Sequence, residues 1–346
     1  MARPIRVAAC HVSAVFLSAK GTTEKAISLI HQAAKNRANL VVFPETFIPA
    51  FPIWSSIRPP TENHGLFQKM AQQSIYIDGP EMSAIQAAAK KSTTIVSIGV
   101  SEYRRRKLMP TFFEKLTWSP GDGYGLRVAE TPFGKIGNLI CGENTNPLAR
   151  YSLMALGEEL HISTWPAIWP TRAPLPVETE GFKEVEPTSA SSNDEVGKKG
   201  PVDYDNVAAN RMRAAAHCFE AKCFGVLCSG RFDEMAIDLI SEGSSNAQHI
   251  RRTLEQSPAA ATMFLGPTGA LLPGYTIDAQ SGKKLTKDFL QKEEDILYAD
   301  MDLNDCIEGK QYHDVVGGYQ RLDVFDLKVN RSRRVPASFV DDFTPN

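Results

Sequence analysis

A chain of 346 residues is long enough to bury a sizeable core, as one large domain or two average ones. Its 42% apolar and 23% charged residues follow ordinary globular usage, which excludes wholesale disorder and a fibrous class. A formal net charge of −2, with no acidic or basic half, gives no electrostatic case for nucleic acid or an anionic membrane.

No apolar run approaches the roughly 18 residues needed to span a bilayer, and Met1-Ala2-Arg3-Pro4 leads straight into a strand-like alternation. The expectation is a cytoplasmic, non-secreted protein with no membrane partner. Six cysteines, at positions 10, 141, 218, 223, 228 and 306, show neither a CxxC pair nor zinc-ligand spacing. Reduced thiols, one of them available for catalysis, fit this pattern.

In chain order, Ile5 to Val12 reads as a strand, Gly21 to Ala38 as an amphipathic helix, and Leu40-Val41-Val42-Phe43 as a continuous apolar strand. A loop rich in Pro and aromatics from Ile48 to Pro60 precedes the Gly79-Pro80 punctuation, a helix over Glu81 to Lys90 and a strand over Thr94 to Val100. Two strands, Gly125 to Thr131 and Lys135 to Ile140, are expected next, then a helix over Pro147 to Leu156 opened by Asn146 and Pro147. His161 to Trp165 and Phe224 to Ser229 read as strands and Asn206 to Lys222 as the helix between them. Thr262 to Leu265 pairs with Gly269 to Leu272 around a turn, and Ile296 to Met301 is the last core strand. Strands alternating with helices predict an α/β architecture. A polar stretch over about 181–201 reads as a solvated insertion, residues 1–330 as one domain, and 331–346 as a C-terminal tail.

Three segments carry chemistry. Glu45 follows the apolar strand in Val41-Val42-Phe43-Pro44-Glu45, at the kind of sheet end where ligands gather. A carboxyl there can have a raised pKa and act as a base, although for this segment alone a helix cap or a loop salt bridge is the favoured reading. In Arg104-Arg105-Arg106-Lys107, one lysine buried among the cations can stabilise an anion, or the run is solvated basic surface. Cys141 ends a strand in Gly137-Asn138-Leu139-Ile140-Cys141-Gly142-Glu143, where a helix N-terminus and a lysine can lower a thiol pKa; a buried structural cysteine is the alternative. His217 beside Cys218 suggests a Cys/His dyad, but a packed or interface histidine fits better.

Taken together and in this order, the Glu45, Lys107 and Cys141 segments resemble the nitrilase superfamily, whose catalytic set is Glu, Lys and Cys. The likeness extends to Phe112-Phe113-Glu114 with Trp118 and Gly121-Asp122-Gly123, which makes Glu114 the supporting acid. It continues through Asn146-Pro147-Leu148-Ala149-Arg150-Tyr151 and Gly157-Glu158 to Trp165-Pro166, so it covers nearly the whole chain and is strongest to fungal nitrilases. The resemblance implies a four-layer αββα sandwich, no metal or organic cofactor, and a homo-oligomer built on a twofold dimer. It implies a small nitrile as substrate, attacked by Cys141 and carried through a thioimidate and a thioester, with Glu45 moving protons. Trp165 and Phe51 are candidates for apolar walls of the substrate pocket, or for core packing.

Two departures stand out. Gly142 follows the nucleophile where many nitrilases carry Trp. After Gly99-Val100-Ser101-Glu102 the family usually runs through a β-hairpin before its lysine, yet Tyr103 alone separates Glu102 from Arg104. The sandwich is therefore expected to lack one hairpin after residue 102, roughly a dozen residues or more. An amidase or carbamoylase with the same three residues, a nitrile- or cyanide-hydrating relative, and a silent oligomeric scaffold are the competing functions.

Overall fold

The computed structural model describes residues 3–101, 107–171, 205–335 and 337. Its first strands are β1 (Pro4–His11), β2 (Leu40–Val42), β3 (Ile95–Ser97), β4 (Ala129–Glu130), β5 (Lys135–Ile140) and β6 (Leu160–Trp165). They are followed by β7 (Phe224–Ser229), β8 (Thr262–Leu265), β9 (Leu271–Leu272), β10 (Gly274–Ile277), β11 (Lys284–Lys287), β12 (Phe289–Leu290) and β13 (Asp295–Asp302). The helices of two turns or more are α1 (Ala19–Lys35), α2 (His64–Gln72), α3 (Pro80–Lys91), α4 (Pro147–Met154), α5 (Asn206–Ala221), α6 (Glu234–Ser241) and α7 (Ala247–Gln256).

Two sheets form, in the orders β11-β10-β13-β1-β2-β3 and β12-β8-β7-β6-β5-β4, with β9 added on β8. Strand β1 pairs antiparallel with β13 along its whole length and parallel with β2. Alternation decides the layers. Ile5, Val7 and Ala9 of β1 meet Ile136, Ile162 and Val226 of the second sheet in the core between the sheets. The opposite face of β1, through Ala8 and Cys10, packs on Ala26 and Ile30 of α1 and Ile85 of α3. Outside the second sheet, Ala149 and Leu153 of α4 cover Leu139, and Ala214 and Cys218 of α5 cover Leu227. These four layers are the αββα sandwich expected from the resemblance.

Helix α1 begins two residues before its expected start because the Ser18 hydroxyl caps it, accepting from the Gly21 N–H at 3.2 Å. The strand expected over Gly125–Thr131 shrinks to Ala129–Glu130. Asp122 caps a 3₁₀ turn at Gly123–Gly125, and Arg127 stacks over Tyr124 at 4.4 Å, which turns the chain away from the sheet.

The hairpin expected to be missing falls on residues 102–106, which lie outside the described residues, as does the insertion at 181–201. Among the described residues no strand lies between Ser97 and Ala129, and β3 closes the first sheet. The tail is not free of the body: Asn330 passes so close to Gly123 that a Cβ there would collide with its carbonyl. The Arg334 N–H donates to Asp122 at 2.9 Å, and Val329 packs against the layer of Leu139 and Leu153. No helix among the described residues is long and apolar enough to cross a membrane.

Candidate active site

Strand β2 ends three residues before Glu45 and β5 one residue before Cys141, so adjacent ends of the two sheets deliver an acid and a thiol to one buried point. Lys107 arrives from the loop after β3. Its ammonium donates to Glu45 Oε1 at 2.9 Å and to both Glu114 oxygens at 2.9 and 3.0 Å. Glu114 is held in turn by the Thr111 N–H at 2.5 Å, at the start of the 3₁₀ turn Phe112–Leu116. One side-chain atom each from Glu45, Glu114 and Cys141 lie within 4.8 Å of one another.

Two carboxylates, one ammonium and one thiol in a dry site set each other's protonation. Burial pushes Glu45 up to about 8; Lys107 opposes this and the Glu114 charge adds to it. Burial alone would lower Lys107, but its interactions with Cys141, Glu45 and Glu114 outweigh it and hold the ammonium charged. Burial also raises the Cys141 thiol well above its ordinary value, with Glu45 and Glu114 reinforcing it and Lys107 only partly offsetting it. The expectation of a thiol lowered by a helix end and a lysine is thus corrected. At rest Cys141 is a thiol rather than a thiolate, and the Glu45 carboxyl, raised to about 8, stands beside it. Oε2 of Glu45 is buried without a hydrogen-bond partner among the described residues.

Cys141 itself sits at φ +47°, in the left-handed region that costs a non-glycine residue about 1 kcal/mol. The strain is held by its neighbours. Asn144 Nδ2 donates to the carbonyls of Leu139 and Cys141, both at 3.1 Å, and Glu143 accepts from the N–H groups of Ile140 at 2.8 Å and Leu108 at 2.6 Å. Glu143 therefore ties the lysine segment to the nucleophile strand.

Behind Asn144 lies a buried polar chain. Asn144 Oδ1 meets His161 Nε2 and the Ser163 hydroxyl at 2.9 Å, His161 Nδ1 meets Glu158 at 2.9 Å, and Glu158 also takes His217 Nε2. Although burial opposes it, the two histidines hold Glu158 down at about 2. Burial and His161 lower His217 to about 4 despite Glu158, and its Nδ1 has no partner among the described residues. His217 is therefore a packed histidine supporting the turn rather than the base of a dyad.

Two clefts share Trp165 and Pro166 as a wall. One holds Glu45 with Phe51, Phe47 and Phe232; the other holds Cys141 with Gly142, Trp169 and Arg213. Phe51 and Trp165 thus line the openings beside the acid and the thiol, and Phe51 also meets Phe113 and Trp118 edge to face and Trp169 at a tilt. The point where a metal ion would bridge Glu45 and Glu114 is taken by the Lys107 ammonium. A second group, Glu158, His217 and Cys223, is similarly close, but the Glu158 oxygens are already engaged by the two histidines.

The family model for carbon–nitrogen hydrolases matches residues 6–104 and 97–311, two pieces that meet on the shortened connection before Lys107. The chain belongs to the carbon–nitrogen hydrolase family. It lies in the nitrilase branch and acts on carbon–nitrogen bonds other than peptide bonds. A nitrilase of Penicillium rubens is 30% identical over 362 residues, covering 98% of this chain and 97% of that one. An arylacetonitrilase of Hypocrea virens is 28% identical, covering 95% and 92%. The fold is that of the carbon–nitrogen hydrolase from Helicobacter pylori G27, with a TM-score of 0.60 at 17% identity and coverage of 92% and 96%.

Within this hydrolase, the departure at Gly142 has a local reason. A Cβ there would collide with the Thr111 hydroxyl, the residue whose N–H orients Glu114. Sequence reasoning missed Glu143, Asn144 and Glu158 as supports. The acid three residues after Ile140, which turns back to cap its N–H, was the available signal for Glu143.

Proposed function

We propose that the hydrolase converts a small aromatic or aliphatic nitrile and two waters to the carboxylic acid and ammonia. One observation carries the reading: a buried carboxyl oxygen of Glu45, without a partner among the described residues and on a group raised to about 8, lies beside a protonated Cys141 thiol and a locked lysine. Glu45 takes the thiol proton as sulfur adds to the nitrile carbon, and Lys107 donates a hydrogen bond to the nitrogen of the resulting thioimidate. A first water adds and ammonia leaves with protons relayed by Glu45, giving a thioester; a second water releases the acid and restores the thiol. Glu114 keeps Lys107 in place throughout, and Phe51 and Trp165 wall the substrate. Support for a nitrile over an amide comes from relatives named as nitrilases and from the Asn144–Tyr151 run.

The same reading pairs two copies through α4 and α5, where Leu148, Met212 and Phe219 are exposed apolar side chains; a monomeric mass by light scattering would remove that part. The deciding experiment is ammonia release from matched nitriles and amides, beside Cys141→Ala. Release from nitriles that disappears in the variant is expected. Release from amides alone points to an amidase, an amide product to a hydrating enzyme, and no release from folded protein to an inactive scaffold.

A further inference from the structure

The cleft that holds Cys141 contains a cation that the hydrolytic steps do not use. Asn206, Asn210 and Arg213 lie at spacings of four and three residues along α5, on one face of the helix, and all three line this cleft with Cys141, Trp165 and Trp169. None of the described lining residues is acidic.

The Arg213 guanidinium lies over the Trp165 ring at 4.5 Å. Its Nε donates to the Ala209 carbonyl at 3.0 Å and one Nη to Asn210 Oδ1 at 2.8 Å. The other Nη makes only a long 3.3 Å contact with the Thr145 hydroxyl, at the end of the turn that Cys141 begins. A guanidinium has five N–H donors, so two are left over, and no carboxylate among the described residues pairs with it. The buried Trp165 Nε1, in the wall between the clefts, also lacks a partner among them. A half-buried cation with spare donors, set over an indole and without a counter-charge among the described residues, suits an anion. Its field reaches the reacting sulfur, since it pulls the thiol pKa down against the larger effect of burial. A cationic substituent would find nothing to pair with.

We propose that Arg213, with the carboxamides of Asn206 and Asn210, binds a carboxylate carried by the substrate, so that the preferred nitriles are cyano-carboxylic acids and the products dicarboxylates. The inference rests on the nitrile reading and narrows it. Cys141 and Arg213 line the same small cleft, so the length of chain that joins nitrile to carboxylate is what the substrate series below varies.

The test compares ω-cyano acids of two to four methylenes with the neutral nitriles in which an isopropyl group replaces the carboxylate. The comparison uses wild type, Arg213→Met and Arg213→Lys. The expected wild-type preference for the acid is about 10- to 100-fold in kcat/KM, the scale of hydrogen bonds to a charged group. Arg213→Met should abolish that preference, chiefly through KM for the acid, and Arg213→Lys should retain part of it. Equal loss on both substrate series would make Arg213 structural or a field on the sulfur, and would overturn the proposal, as would a wild-type preference for the neutral series. Should wild type release no ammonia from any nitrile, the nitrile reading fails separately. Calorimetric binding of glutarate to the Cys141→Ala protein, lost on adding Arg213→Met, then decides the anion site; no binding refutes it.

Discussion

Glu114→Gln tests the electrostatics of the site most directly. Glu114 is fully buried, and its carboxylate and that of Glu45 share the Lys107 ammonium with side-chain atoms no more than 4.8 Å apart. At that range, with an effective dielectric constant near 20, two negative charges repel by about 3 kcal/mol, or roughly two pH units in the ionisation of Glu45. The sign follows from the charge removed. Glu45 stands at about 8 because of burial, with Glu114 adding to the rise, so the neutral amide lets Glu45 ionise at lower pH. Glu45 must be ionised to accept the Cys141 proton, and the acid limb of kcat/KM should therefore move down by roughly two pH units. The plateau should also fall, by about 100-fold, because Lys107 loses its second anchor. The assay is ammonia release from pH 5 to 10, with a melting curve to confirm folding. An acid limb that stays in place while the plateau falls would show that it does not report Glu45, and a limb that moves upward would refute the charge argument.

Gly142→Ala should displace Thr111 and with it the N–H that orients Glu114, lowering kcat about tenfold with little change in melting temperature. Restored activity in Gly142→Ala/Thr111→Ser would leave that account wrong, because the Thr111 hydroxyl is the atom struck. The buried His217 makes a pH prediction of its own. Its folded pKa of about 4 lies below the unfolded value near 6.5, so the unfolded chain binds more protons between those limits. Its stability contribution is complete above pH 6.5 and lost as pH falls toward 4, by at most about 3 kcal/mol. Urea midpoints for His217→Gln should show a flatter loss over that window, and an unchanged slope would contradict the assignment.

The strands were legible where a single physical rule decided them. Lys135–Ile140 and Phe224–Ser229 match residue for residue, because each is a short segment centred on apolar residues between turn or helix boundaries. Helices α6 and α7 and the β10–β11 hairpin went unread. Their segments are short or polar, and the hairpin, Gly274–Ile277 with Lys284–Lys287, is mostly exposed on its second strand. The order of acid, lysine and thiol was visible in the chain, and the structure brings all three together with Glu114. What sequence order cannot carry is a partnership such as Glu158 with His217, 59 residues apart, or a cation such as Arg213 whose meaning depends on which strand end it faces.

The course of the tail past Gly123 bears on how this enzyme ages. Val329 roofs the apolar layer under Leu139, two residues before the nucleophile, and Arg334 is fastened to Asp122. The residues leading into Val329, from Arg321 to Lys328, are exposed, with Leu322 and Phe325 held out in solvent, and such segments are where proteases cut. A nick there leaves both sheets whole while loosening the floor beneath Cys141, so a preparation can lose turnover before it shows any loss of folded protein.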